Sequence, residues 1–295
     1  MTIYRSITPV PSEPPKKQFW KRPVVWLVTI VVGAIGVYLT DVIRSFLEAR
    51  GAPATELGER LAHPRPISIV DIKRVTNPEL AGDFVVPAGV TDLATLDEAL
   101  AAWRQSGTDP AGVLDRLGAV GVDRATWEIT IEGLRSSPVE VVDMRPVLDG
   151  PCTEPTGGTA LIENPSAGAT DKIVLETEVD RPAPAFGVRD AEQKLQPFFT
   201  TKKITLPLGE KNVVMMAGHS DGRTCRWRVE VEYLADGGRD RMLIALPGDK
   251  PFQVTGAVDP KGYAWVYLDP LQGCDTQRVA GTEFVAMKQD LRNCP

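Results

Sequence analysis

Between Pro23 and Thr40 the chain runs eighteen residues without a charged side chain, and no other stretch constrains its architecture as strongly. As an α-helix at 1.5 Å per residue this stretch reaches about 27 Å, close to the roughly 30 Å hydrocarbon core of a bilayer. Val42 and Ile43 extend it, and Trp20, Trp26 and Tyr38 suit the two membrane interfaces. A transmembrane helix over 23–43 is expected. Residues 1–22 carry Arg5, Lys16, Lys17, Lys21 and Arg22 against one acid, Glu13, whereas residues 41–62 carry three arginines and four acids. The positive-inside rule then puts the N-terminus in the cytoplasm and the rest of the chain outside the cell membrane, a single-pass topology. A cleaved signal peptide shares the basic-then-apolar order, but the run is long for one and Asp41 to Arg50 offers no small-residue cleavage site.

The remaining organisation follows from punctuation and period. Residues 1–22, with Pro9, Pro11, Pro14 and Pro15, read as a disordered cytoplasmic tail. Residues 44–66 read as a juxtamembrane helix and linker, stopped at Gly51 and Pro53 and stiffened by Pro64-Arg65-Pro66. Ile67 to Ile72 is a short strand candidate. Leu93, Leu96, Leu100 and Trp103 recur at spacings of three and four behind Thr91 or Asp92, and Asp109-Pro110 opens a second helix with Val113, Leu114 and Leu117. The segment 67–124 therefore reads as a helical hairpin whose apolar stripe belongs to a core.

Beyond Asp123 the period changes to two. Trp127, Ile129 and Ile131 alternate with Glu128, Thr130 and Glu132, and Val139 to Arg145 returns after a turn at Ser136-Ser137-Pro138. Further strands fit 172–179, 203–208, 213–217, 242–246, 252–258 and 263–268. In the run from Cys225 to Tyr233, Cys225, Trp227, Val229, Val231 and Tyr233 share one face, while Arg226, Arg228, Glu230 and Glu232 share the other. Short half-buried strands between Pro and Gly turns predict an antiparallel β-sandwich over 125–295. The fold class is mainly β with a small helical part, α+β, the helical hairpin packing on the sandwich.

Composition and motifs exclude more chemistry than they suggest. The chain is 43% hydrophobic, enough for a core, and residues 23–295 hold 28 basic against 38 acidic side chains, which argues against nucleic acid as a partner. Two histidines leave little material for His-dependent catalysis or metal binding, and no P-loop, G-x-S-x-G, H-E-x-x-H or EF-hand pattern occurs. No catalytic, cofactor-binding or metal-ligating residue is assigned. His219-Ser220-Asp221 holds triad residue types, but adjacent residues do not converge as a triad must, so it reads as a turn. Glu128 with Glu132, and Glu230 with Glu232, share strand faces as a glycosidase pair would, yet they sit on the wet side of amphipathic strands.

Cys152, Cys225, Cys274 and Cys294 all follow the span, are even in number and form no C-x-x-C pair, so disulfides are expected. Three pairings are possible. Cys274 with Cys294 and Cys152 with Cys225 requires least of a chain whose last two cysteines lie close together. Thr224-Cys225-Arg226 is similar to the strand-terminal Thr-Cys of sortases, but no histidine lies at a comparable distance upstream to activate the thiol. Tyr263, Trp265 and Tyr267 put three aromatic rings on one strand face, which either packs in a core or forms a possible binding surface.

The order of helix, Trp127 to Arg145 hairpin, Gly150-Pro151-Cys152, the Cys225 to Tyr233 strand and Lys250-Pro251-Phe252-Gln253-Val254-Thr255-Gly256 resembles uncharacterised actinobacterial single-pass membrane proteins with an extracytoplasmic β-sandwich. The resemblance covers the C-terminal two thirds and implies topology and fold, not an activity. Taken together, the expectation is a membrane-anchored extracytoplasmic module that binds envelope protein or cell-wall glycan. An envelope enzyme acting on cell-wall glycan or protein is the alternative, and it requires a polar cleft with a carboxyl titrating above its usual range, or a free thiolate beside a base.

Overall fold

A computed structural model describes residues 58, 63–106, 110–155, 157–162, 174–181, 184–268 and 277–287. From residue 63 onward these belong to one compact unit, Glu59–Pro295. The span at 23–43, the tail before it, most of 44–66, Cys274 and Cys294 lie outside the described residues. Among the described residues no helix is long and apolar enough to cross a membrane. The fold is mainly β, as the alternating period requires, with few helices.

The first sheet has the order β1 (Ile67–Arg74), β4 (Arg124–Gly133), β11 (Lys211–His219), β7 (Val174–Glu178), β8 (Gly187–Arg189) and β9 (Leu195–Pro197). The second runs β10 (Ile204–Leu206), β5 (Val139–Leu148), β12 (Cys225–Ala235), β14 (Phe252–Thr255), β3 (Val120–Val122), β2 (Phe84–Pro87), β6 (Gly158–Ile162), β15 (Trp265–Leu268) and β16 (Gln277–Ala280), with β13 (Gly238–Ile244) also on β12. Strands β12 and β13 join through Asp236-Gly237, both at positive φ (53° and 74°), a two-residue turn whose twist suits a hairpin.

The two sheets enclose the larger core. Alternation on β4 buries Trp127, Ile129 and Ile131, and alternation on β12 buries Cys225, Trp227, Val229, Val231 and Tyr233 against them. Trp127, Trp227 and Phe252 pack ring against ring with centroids 4.9 to 5.7 Å apart. Gly218 on β11 makes room for this cluster, because a Cβ there would stand 2.7 Å from the Trp227 ring.

The helical hairpin is α2 (Leu93–Ser106) and α3 (Pro110–Arg116), after a single turn α1 (Pro78–Ala81). Asp92 caps α2 by accepting from the Thr95 N–H at 2.9 Å and the Thr95 hydroxyl at 2.8 Å. Leu96, Leu100, Val113, Leu114 and Leu117 pack on Phe84, Val86, Leu161 and Tyr267, so the hairpin covers the β2–β6–β15 half of the second sheet, away from the larger core. Phe284 of α4 (Gly281–Met287) packs with Ala160 and Val266 in a separate small cluster.

The expectation of purely antiparallel sheets needs correction. Strand β7 runs parallel to β11, β3 to β14, and β6 to β15. Each of these pairs joins strands far apart in sequence, where no tight turn dictates direction and the long connection is free to cross over.

Candidate functional site

Strand β3 belongs to the second sheet and β4 to the first, and Asp123 alone joins them, at φ +59°. A non-glycine residue in the left-handed region is held there only by its surroundings. Its N–H donates to the Thr255 carbonyl at 2.7 Å, and its carbonyl accepts from the Ser220 N–H at 3.2 Å. Its carboxylate accepts from the Ala257 N–H at 2.7 Å. Three strand ends, of β4, β11 and β14, are thereby tied to one residue.

The turn after β11 packs so closely on β14 that a Cβ at Gly256 has no room beside Gly222. Beyond β7, Asp180 Oδ2 accepts from the Asp221 N–H at 2.8 Å. Between these ends opens a polar cleft of about 470 Å³, lined chiefly by Asp123, Glu178, Asp180, Arg181, Arg189, His219 and Asp221.

Behind one wall sits Glu176 of β7, only 9% exposed. Arg189 Nε donates to its Oε2 at 2.6 Å, and Arg124 Nη2 donates to its Oε1 at 3.2 Å. His219 Nε2 stands 2.9 Å from Oε2 without the alignment of a good hydrogen bond, so it contributes by proximity. Burial raises the Glu176 pKa, but His219, Arg189 and Arg124 outweigh burial and hold it at about 2. Burial lowers the Arg124 pKa in turn, opposed by Glu176. Glu176 is thus an ionised counter-charge that orients Arg189 and lies against His219, and it has no proton to give at neutral pH.

Arg189 is further fixed by the Gln193 carbonyl, 2.9 Å from Nη1. Arg181 is looser: its side chain is 61% exposed, 3.4 Å from Glu178 and 4.0 Å from Asp221.

The structure brings His219, Ser220 and Asp221 to this cleft, but as a turn and not as a triad. The buried Ser220 hydroxyl donates to the Arg223 carbonyl at 2.7 Å, with Asp180 Oδ2 at 3.3 Å, and the Asp221 side chain is 91% exposed. Cys225 is buried and disulfide-bonded to Cys152, so neither sulfur is a thiolate nucleophile.

The other acids weighed in the sequence stand against basic side chains away from the cleft, and Glu232, expected on a wet face, is buried beneath its arginine partners. Arg145 Nε donates to Glu230 at 2.8 Å, and Glu232 accepts from Arg239 at 2.6 Å and from Arg241 at 2.9 Å. In the first sheet Glu128 stands opposite Lys73 and Glu132 opposite Lys211. Arg228 pairs with Asp149 at 2.8 Å. These are cross-strand charge ladders of the kind that amphipathic strands carry.

The aromatic strand is placed differently. Tyr267 is 2% exposed and packs against the hairpin, while Tyr263 and Trp265 are half-buried. The Tyr267 hydroxyl donates to Asp97 at 2.6 Å; burial and then Asp97 push its pKa up to about 12. Arg278 pairs with the same Asp97 at 2.6 Å and stacks 5.1 Å above Trp265.

Sequence reasoning did not single out Glu176, Asp180, Arg189 or Asp123. Glu176 and Glu178 alternate like any wet-face pair, and nothing local marks the three basic side chains that converge from other strands. Among the described residues no group of three or more His, Cys, Asp or Glu is placed to hold a metal ion. No protein family, curated protein or solved structure matches the chain.

Proposed function

We propose that the chain is a single-pass, membrane-anchored protein whose extracytoplasmic β-rich domain is a binding module of the cell envelope, with the polar cleft as its binding site. The observation that carries this reading is the buried, ionised Glu176, which holds Arg189 by a hydrogen bond at the wall of an open cleft, with His219 beside it. Preorganised charge of this sort favours recognition. Catalysis is poorly served by the same residues, since the Ser220 hydroxyl is given to a backbone carbonyl, Cys225 is oxidised and Glu176 titrates low. Peptide or protein is the favoured partner over cell-wall glycan, because among the described residues no Phe, Tyr or Trp lines the cleft to stack on a sugar face.

Topology supports the same reading: the uncharged run at 23–40 with its basic N-terminal flank fits an anchor, and the Cys152–Cys225 bond fits an oxidising compartment. The test is protease treatment of spheroplasts expressing the full chain, with maleimide counting of its thiols. External protease is expected to digest everything beyond the anchor, and maleimide to label the four cysteines only after reduction. A protease-protected domain with four thiols reactive before reduction overturns the proposal.

A further inference from the structure

We infer that the cleft recognises a zwitterion, a free amino acid or short peptide that presents an ammonium and a carboxylate to it at once. The inference rests on the binding-module reading and names its ligand class. The cleft carries both charge signs interleaved, the carboxylates of Asp123, Glu178, Asp180 and Asp221 with the guanidinium groups of Arg181 and Arg189. A bare anion such as phosphate meets four carboxylates there, and a bare cation meets two guanidinium groups. A ligand with both charges meets a complement to each.

The looseness of one pair shows where it enters. Arg181 and Asp221 stand 4.0 Å apart, outside hydrogen-bond distance, and both are well exposed. A zwitterion inserted between them replaces one slack ion pair with two charge-assisted hydrogen bonds, carboxylate to Arg181 and ammonium to Asp221. Arg189 needs no rearrangement, because Glu176 and the Gln193 carbonyl already fix it. Only Gly222 and Ala257 in the lining lack a polar side chain, so no large apolar side chain lines the cleft to receive a lipid chain or an aromatic ring.

The test titrates the full chain in nanodiscs, by calorimetry, with alanyl-alanine. Two controls are the same dipeptide acetylated and amidated, and a chitobiose disaccharide. Alanyl-alanine is expected to bind at least tenfold more tightly than either control, and Arg181→Ala and Asp221→Asn to weaken it at least fivefold each. Both side chains are exposed, so the thermal midpoint of each variant is expected to stay within a degree or two of the parent. Equal binding of the capped dipeptide, or binding of the disaccharide lost in Asp221→Asn, overturns the zwitterion and leaves the binding-module reading standing. Binding of alanyl-alanine that neither substitution weakens overturns the cleft as its site. No heat from any of the three, with an intact thermal transition, overturns the inference, and the topology experiment above decides the broader reading separately.

Discussion

Glu176 and His219 are not cross-strand neighbours, yet their side chains meet. In the parallel β7–β11 pair the register sets Ala217 beside Glu176 and His219 beside Glu178, and the imidazole reaches back one step along the strand to bring Nε2 within 2.9 Å of Oε2. Arg189 and Arg124 close on the same carboxylate from β8 and β4, so four strands of the first sheet are fastened through one side chain.

That fastening makes stability depend on acid. A carboxyl whose folded-state pKa lies below its unfolded value stabilises the fold fully above the unfolded value and progressively less as pH falls toward the folded one. With Glu176 at about 2 against an ordinary 4.5, the contribution is on the order of 3 kcal/mol at neutral pH and fades between pH 4.5 and 2. Denaturant midpoints measured across that range are expected to fall more steeply for the parent than for Glu176→Gln. Parallel curves would remove Glu176 from the account.

The Cys152–Cys225 bond spans 73 residues and anchors the first residue of β12. Chain-entropy reasoning for a loop of that size gives about 4 kcal/mol. Cys152→Ala with Cys225→Ala is expected to lower unfolding free energy by roughly 2 to 5 kcal/mol, measured by chemical denaturation of the full chain in nanodiscs. A change below about 1 kcal/mol contradicts a constraining role.

Tyr267 and Trp265 separate packing from exposure. Tyr267→Phe keeps the ring and loses the bond to Asp97, a change expected to cost about 2 kcal/mol. Its raised pKa means the folded state prefers the neutral phenol, so stability is complete below pH 10 and is lost as pH rises toward 12. Burial raises Tyr233 and Tyr263 as well, so ultraviolet titration is expected to show several tyrosines ionising late in the parent and one fewer in Tyr267→Phe. Trp265→Ala removes a half-buried ring packed against the hairpin core and is expected to cost about 2 kcal/mol, less than a fully buried aromatic.

Gly218→Ala probes the main core. Its added methyl meets the indole of Trp227, itself wedged among Trp127, Phe186 and Phe252. Overpacking of this kind is expected to cost about 1 to 3 kcal/mol and to shift the near-ultraviolet circular dichroism. An unchanged spectrum and midpoint would show that the ring moves freely.

What was legible in the sequence was whatever one strand or one helix decides alone. Trp127, Ile129 and Ile131, or Cys225 through Tyr233, declare a buried face by period two, and Leu96 and Leu100 declare one by period near four. The cap of α2 is equally local, although the sequence leaves it between Thr91 and Asp92 and the hydrogen bonds to Thr95 decide for Asp92. Strand β2 escaped notice because Phe84-Val85-Val86-Pro87 is buried on both faces and so has no alternation to read. The parallel pairings and the cleft depend on which remote strands meet, and neither Glu176 nor Asp123 differs locally from a solvated acid.

Among the described residues, the second sheet is continuous from the two-sheet core to the hairpin-covered half only through β3, three residues long, with two registered pairs to β14 on one side and two to β2 on the other. A ladder that narrow is a weak rung between the two halves of the sheet, and amide exchange at Val120 to Val122 is expected to be faster than on β5 or β12. Asp123 is the next residue along the chain. Because its backbone and carboxylate hold Thr255, Ser220 and Ala257, the narrow rung and the rim of the cleft are built on adjacent residues of one strand-to-strand step.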